Sequence, residues 1–263
     1  MRTLILYLAF IVSITALAIS ARYFLSPESS LTVELLYSAA GRYAILATGF
    51  VVLTSFSPGD LEVLRTDRLW WSPTLVVCIL LVLILAYFRL PYIMTYPPAR
   101  VASFALAMAA VAILEEVLFR GLFFLHWQRR ISRYPVLVLA ILSSALFGLS
   151  HLVNIALVAG QSVAGSWTLV LYSFGMGMLF CGITYRTGTL APAILLHFAA
   201  NFFLGTTRLD HSALFSAEPV PASTTAIGLS TLVPTLILYL LLSGVGVLLL
   251  RSDGERTKPP GDS

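Results

Sequence analysis

Eight long apolar runs decide what this chain can fold into. Read in windows of about 20 residues, they fall at roughly 4–20, 35–56, 74–88, 101–125, 136–158, 167–185, 190–204 and 231–250. About 20 apolar residues span the ~30 Å hydrocarbon core as an α-helix, whereas transmembrane β-barrels use short alternating segments. Composition agrees: 59% of residues are hydrophobic and 11% charged, against about 45–50% and about 25% in soluble domains. The expected fold is an all-α, polytopic membrane helix bundle of about eight transmembrane helices. The third and seventh runs are short, and the seventh could dip into the bilayer rather than cross it. No large soluble domain fits between the runs, so residues 1–250 read as one integral-membrane domain. Residues 251–263, with Asp, Gly, Lys and two prolines, read as a disordered cytoplasmic tail.

The first run has a second reading. Arg2, the apolar stretch and the small residues near Ser20 and Ala21 also fit a cleaved signal peptide. Ile19 makes a poor cleavage site, which favours a retained signal anchor. With eight spans, both termini share a side. That side collects Arg2, Arg65, Arg68, Arg129, Arg130, Arg133, Arg186, Arg251, Arg256 and Lys258. The other side has Arg22, Arg89, Arg100 and Arg208, with Arg42 near the start of a span. The positive-inside rule then puts both termini in the cytoplasm, with the plasma (inner) membrane as the expected location. The net charge of +4 is a topology signal, and no basic, aromatic-interleaved run points to nucleic acid. Cys78 and Cys181 both lie in apolar runs, which implies packing rather than a disulfide framework. No internal repeat is visible.

Inside the fourth run, Glu115 and Glu116 stand side by side, and Arg120 follows one turn later. A charged group at mid-bilayer depth costs roughly 2.5–3.5 kcal/mol on insertion scales, so such groups serve a purpose. Glu116 and Arg120 are spaced i, i+4 and can pair on one face. Glu115, about 100° around the helix, should face elsewhere and be free for chemistry. The fifth run holds Phe147 and His151, with Asn154 beyond; the seventh holds His197 and, at i+4, Asn201. His126 belongs at the interface beside Trp127, and His211 in a polar loop. Any one of these is ordinarily an interhelical hydrogen bond worth about 0.6 kcal/mol. Together they supply a base, a charge partner and oxyanion donors, the inventory for peptide hydrolysis by an activated water.

Other intramembrane chemistries are disfavoured by their residue needs, with Ser150 left open as a nucleophile. No His-Glu-x-x-His string occurs, and every Asp lies in a loop or tail. Gly148-Leu149-Ser150 is followed by His151, so a Gly-x-Ser-Gly serine motif fails at its last position.

The ordered triple Glu115-Glu116-x-x-x-Arg120, Phe147-x-x-x-His151 and His197-x-x-x-Asn201 resembles the CAAX prenyl protease and bacteriocin-processing family of intramembrane endopeptidases. The likeness covers roughly residues 100–205. It implies that Glu115 works with His151 to deprotonate the attacking water. It implies further that His197 and Asn201 stabilise the oxyanion, that Glu116 and Arg120 support the site, and that Phe147 shapes it. The implied substrate is a membrane-associated or lipidated peptide or protein: a CAAX-type, bacteriocin or C-terminal sorting sequence. Glutamate-type hydrolysis without a metal is favoured for the family, which was once described as metal-dependent. A zinc version stays open, because Glu115, His151 and His197 would make a His₂Glu set with a free position for water. Two further readings also stay open. One is a proton-coupled transporter, in which the membrane Glu, His and Arg groups form a relay. The other is a scaffold that keeps the motif for stability.

Overall fold

The computed structural model describes residues 30–56, 73–130, 135–153, 163–205 and 229–251, with isolated residues 9, 12–13, 16–17, 19–20 and 209. No strand occurs among them. Seven helices account for nearly all of this: α1 (Leu31–Phe56), α2 (Pro73–Ile93), α3 (Pro98–Glu116, continuing through Val117–Leu125 to His126–Arg130), α4 (Val136–Ser150), α5 (Val163–Thr187), α6 (Ala191–Ala199, continuing through Ala200–Leu204) and α7 (Leu229–Arg251). They coincide with the second to eighth apolar runs. Most of the first run, residues 154–158 with Asn154, His211 and the tail beyond residue 251 lie outside the described residues.

Prolines mark where several helices begin. Pro73 and Pro98 open α2 and α3, Pro192 sits in the first turn of α6, and Pro135 caps α4. A proline at a helix start sacrifices no hydrogen bond, because the first N–H groups have no intrahelical acceptor. At the other end, α5 stops where Gly188 takes φ +71°, a conformation that glycine adopts without a Cβ penalty. Its N–H still reaches the Thr184 carbonyl at 2.9 Å.

The third run, expected to end at Phe88, continues to Ile93. Arg89 does not break the helix because its Nε donates to the Phe203 carbonyl of α6 at 2.9 Å. Pro91 is tolerated in the last turn. The seventh run stays short: residues 191–204 cover about 21 Å at 1.5 Å per residue, less than the hydrocarbon core. By length and composition, Val76–Ile93, Pro98–Gln128 and Gly165–Thr187 can each cross a membrane, and Val136–Ser150, Ala191–Leu204 and Leu236–Arg251 are shorter apolar helices. This is an integral membrane helix bundle.

In the bundle, α5 packs along both α7 and α4, α1 lies along α3, and α6 sits against α2 and α3. The α5–α7 contact is backbone-close. A methyl built on Gly182 would stand 2.8 Å from the Gly246 carbonyl oxygen, so only glycine fits there. The small residues of 175–182 are thus packing residues, as small side chains generally are between membrane helices. Cys78 and Cys181 are both free and buried.

Candidate active site

The site is built on α3 at the point where its geometry changes. The helix is regular through Glu116, then widens into a π-helical stretch over Val117–Leu125 that contains Arg120. π-turns are rare and concentrate at functional positions. A 3.6-residue period read from sequence cannot reveal one. The i, i+4 pairing nevertheless forms: Arg120 Nη1 donates to Glu116 Oε1 at 3.0 Å, with both side chains 0% exposed.

Three aromatic rings complete the shell of the guanidinium. Its carbon lies 4.4 Å from the Phe147 ring centre, 5.1 Å from Phe180 and 6.0 Å from Phe119. Cations are attracted to ring faces within about 6 Å, more strongly where water is excluded. Nε and Nη2 of Arg120 have no hydrogen-bond partner among the described residues. The rings, drawn from α3, α4 and α5, therefore provide much of its stabilisation.

His197 on α6 closes the arrangement. Its Nδ1 lies 2.8 Å from Glu116 Oε1, the same oxygen that accepts from Arg120. A carboxylate already serving an arginine only accepts, so Nδ1 carries the proton. The ring is stacked on Phe180 (centroids 5.0 Å, 25°) and meets Phe147 edge-on at 5.8 Å. These contacts turn Nε2 toward Glu115, whose Oε2 is 3.5 Å away. Glu115 and Glu116 therefore face opposite nitrogens of one ring. The imidazole stands between the two carboxylates and reaches both. They differ in access instead: the Glu115 side chain is 23% exposed and that of Glu116 0%.

Phe147 is the hub. Besides Arg120 and His197 it touches Phe119 at 5.1 Å and His151 at 5.2 Å. His151 is partly exposed, at the end of α4 where the chain tightens into a 3₁₀ turn. Asn201, partly exposed and one turn after His197, lies in a second π-helical stretch, Ala200–Leu204. Glu115, Glu116, Arg120, Phe147 and His197 are thus linked by successive contacts, with His151 joined through Phe147. His126 is buried farther along α3, where Phe123 stacks on Trp127.

Phe180 escaped the sequence reading, because an aromatic on an apolar helix gives no sign of which face it takes. Among the described residues no group of three His, Cys, Asp or Glu side chains is placed to hold a metal ion.

Residues 97–203 match the family model described as Type II CAAX prenyl endopeptidase Rce1-like. No curated protein and no solved structure matches the chain. The matched segment runs from the residue before α3 to the end of α6 and so contains every side chain of the contact chain Arg120–Glu116–His197–Glu115. Over that segment, which is less than half of the chain, the protein is similar to the CAAX prenyl endopeptidases.

Proposed function

We propose that this protein hydrolyses a peptide bond of a membrane-associated substrate by a water that Glu115 activates. The likeness of residues 97–203 to type II CAAX prenyl endopeptidases supports a CAAX-type intramembrane endopeptidase acting on a prenylated protein. The mechanism is our reading of the geometry. One observation carries it: of two adjacent glutamates contacting one imidazole, one is sealed and neutralised by Arg120 and the other is open.

In this reading Glu115 accepts a proton from water, and the water oxygen adds to the scissile carbonyl carbon. His151 assists the deprotonation from the far side of Phe147. The oxyanion is held from α6 by the Asn201 amide and by the His197 ring as an imidazolium, with Nδ1–H on Glu116 and Nε2–H on the oxyanion. Collapse breaks the C–N bond, and the proton taken by Glu115 passes to the leaving amine, so the enzyme ends as it began. Glu116 and Arg120 take no proton. They hold the His197 ring, since a group donating through Nδ1 must present Nε2 to the open side. Water exclusion around these groups strengthens each electrostatic contact.

No metal enters this scheme. Turnover should survive exhaustive chelation, and loss of activity restored by zinc would overturn that part. We infer from the arginine distribution that both termini face the cytoplasm and that the protein resides in the plasma membrane.

The deciding experiment needs no guess at the substrate. N- and C-termini of membrane proteins are compared between cells carrying the wild type and Glu115→Gln at matched expression. Termini present only with the wild type support the peptidase. Identical termini at good coverage, or wild-type turnover by the variant, would sink the assignment of Glu115.

A further inference from the structure

We infer that Ser143 on α4 is a positioning residue for Arg120, acting through the backbone of the widened turn; this rests on the peptidase reading above. Its Oγ–H donates to the Phe119 carbonyl at 2.8 Å, and both residues are buried. That carbonyl belongs to the peptide unit joining Phe119 to Arg120. Holding it limits rotation of the plane from which the Arg120 side chain departs.

Hydroxyls on apolar helices usually satisfy themselves by bonding back to a carbonyl of their own helix. Several here do so: Ser103 to Arg100, Ser150 to Phe147 and Thr187 to Ile183. Ser143 instead bonds across helices, into the π-helical stretch. A turn that departs from the regular i→i−4 ladder weakens its own hydrogen bonding, and an outside donor offsets that loss.

The spacing on α4 supports the same role. Ser143, Phe147 and His151 follow at i, i+4 and i+8, so they form one stripe on the helix. Phe147 covers the guanidinium of Arg120 while Ser143 holds its backbone. α4 therefore grips the same residue at two levels. Ser144 provides the internal contrast. It is equally buried and, like Ser143, lies against the Cys181 thiol of α5 (Oγ–Sγ 4.0 Å), but among the described residues it makes no hydrogen bond to α3.

The test compares Ser143→Ala, Ser143→Thr and Ser144→Ala in nanodiscs. Losing the donor to a buried carbonyl should make amide hydrogen exchange in peptides covering 117–125 about tenfold faster in Ser143→Ala. Peptides covering 163–187 should keep their protection, and Ser144→Ala should match the wild type. Cleavage of a prenylated CAAX peptide by Ser143→Ala should show kcat reduced about tenfold with KM unchanged. Ser143→Thr should restore both readouts. In an Arg120→Lys background, adding Ser143→Ala should cost little more, since both changes act on one element. Unchanged exchange in Ser143→Ala, or the same change in Ser144→Ala, would overturn the proposal. If the wild type cleaves nothing, the functional reading fails while exchange still decides Ser143.

Discussion

α2 and α3 follow one another in the chain and are both apolar enough to cross a bilayer, yet they occupy opposite environments. Of the membrane-length window in α2, 11% is buried in the protein; in α3 the figure is 50%. α2 turns Leu83, Ile84, Tyr87 and Phe88 outward. Its one charged side chain, Arg89, serves as a clamp on the end of α6, where helix carbonyls lack intrahelical donors. α3 turns Glu115, Glu116 and Arg120 toward His197 and the protein interior, and Glu116 and Arg120 are sealed. Average apolarity thus reports that a segment lies in the membrane. The positions of its few polar residues report which side of it faces protein.

The largest effect should come from the inward face. Glu115→Gln removes a general base and should lower kcat by about 10²–10⁴-fold with unchanged thermal stability. If stability falls with activity, Glu115 belongs with the structural residues of α3.

Breaking the sealed pair should act the other way. Arg120→Met or Glu116→Gln each leaves an uncompensated buried charge or its unmet partner, and should cost about 3–5 kcal/mol of stability. Thermal unfolding in detergent or nanodiscs would read this. The double variant should lose less than the two singles summed, because they share one interaction. Strict additivity would mean that the two side chains do not act as a pair.

A smaller loss is expected at Phe147→Leu. It keeps apolar bulk but removes the ring under Arg120, at about 1–2 kcal/mol by the same unfolding measurement. The smallest belongs to the outer face of α2. Leu83→Ala and Ile84→Ala should each change stability by less than about 0.5 kcal/mol, as exposed sites generally do. A loss there as large as that at Phe147 would show that α2 faces protein after all, and the contrast between the two helices would collapse.

Much of this was legible before any coordinates. Helices α1 to α7 sit where the apolar runs are, because a segment without polar groups has no stable alternative in lipid. The Glu116–Arg120 pairing followed from spacing alone. Arg89 and Arg100, counted only as sparse charge on one side of the membrane, proved to donate to the Phe203 and Leu209 carbonyls at 2.9 and 3.4 Å. The contact between Glu115 and His197 was not legible either. An ideal helix points adjacent residues about 100° apart, and nothing in that geometry says a ring from another helix will stand between them.

Sequence alone determined the medium this chain occupies, the place of helices α1 to α7, and the inventory of groups able to perform hydrolysis. Those properties depend on local composition and on spacing within one helix. Tertiary structure decided which carboxylate is sealed and which is open, and which rings enclose Arg120. It also decided where α3 departs from regular geometry. Each of these turns on contacts between α3, α4, α5 and α6, which are distant in the chain. Side chains on different helices meet only when packing sets their rotation about the helix axis, and no one-dimensional period records that rotation.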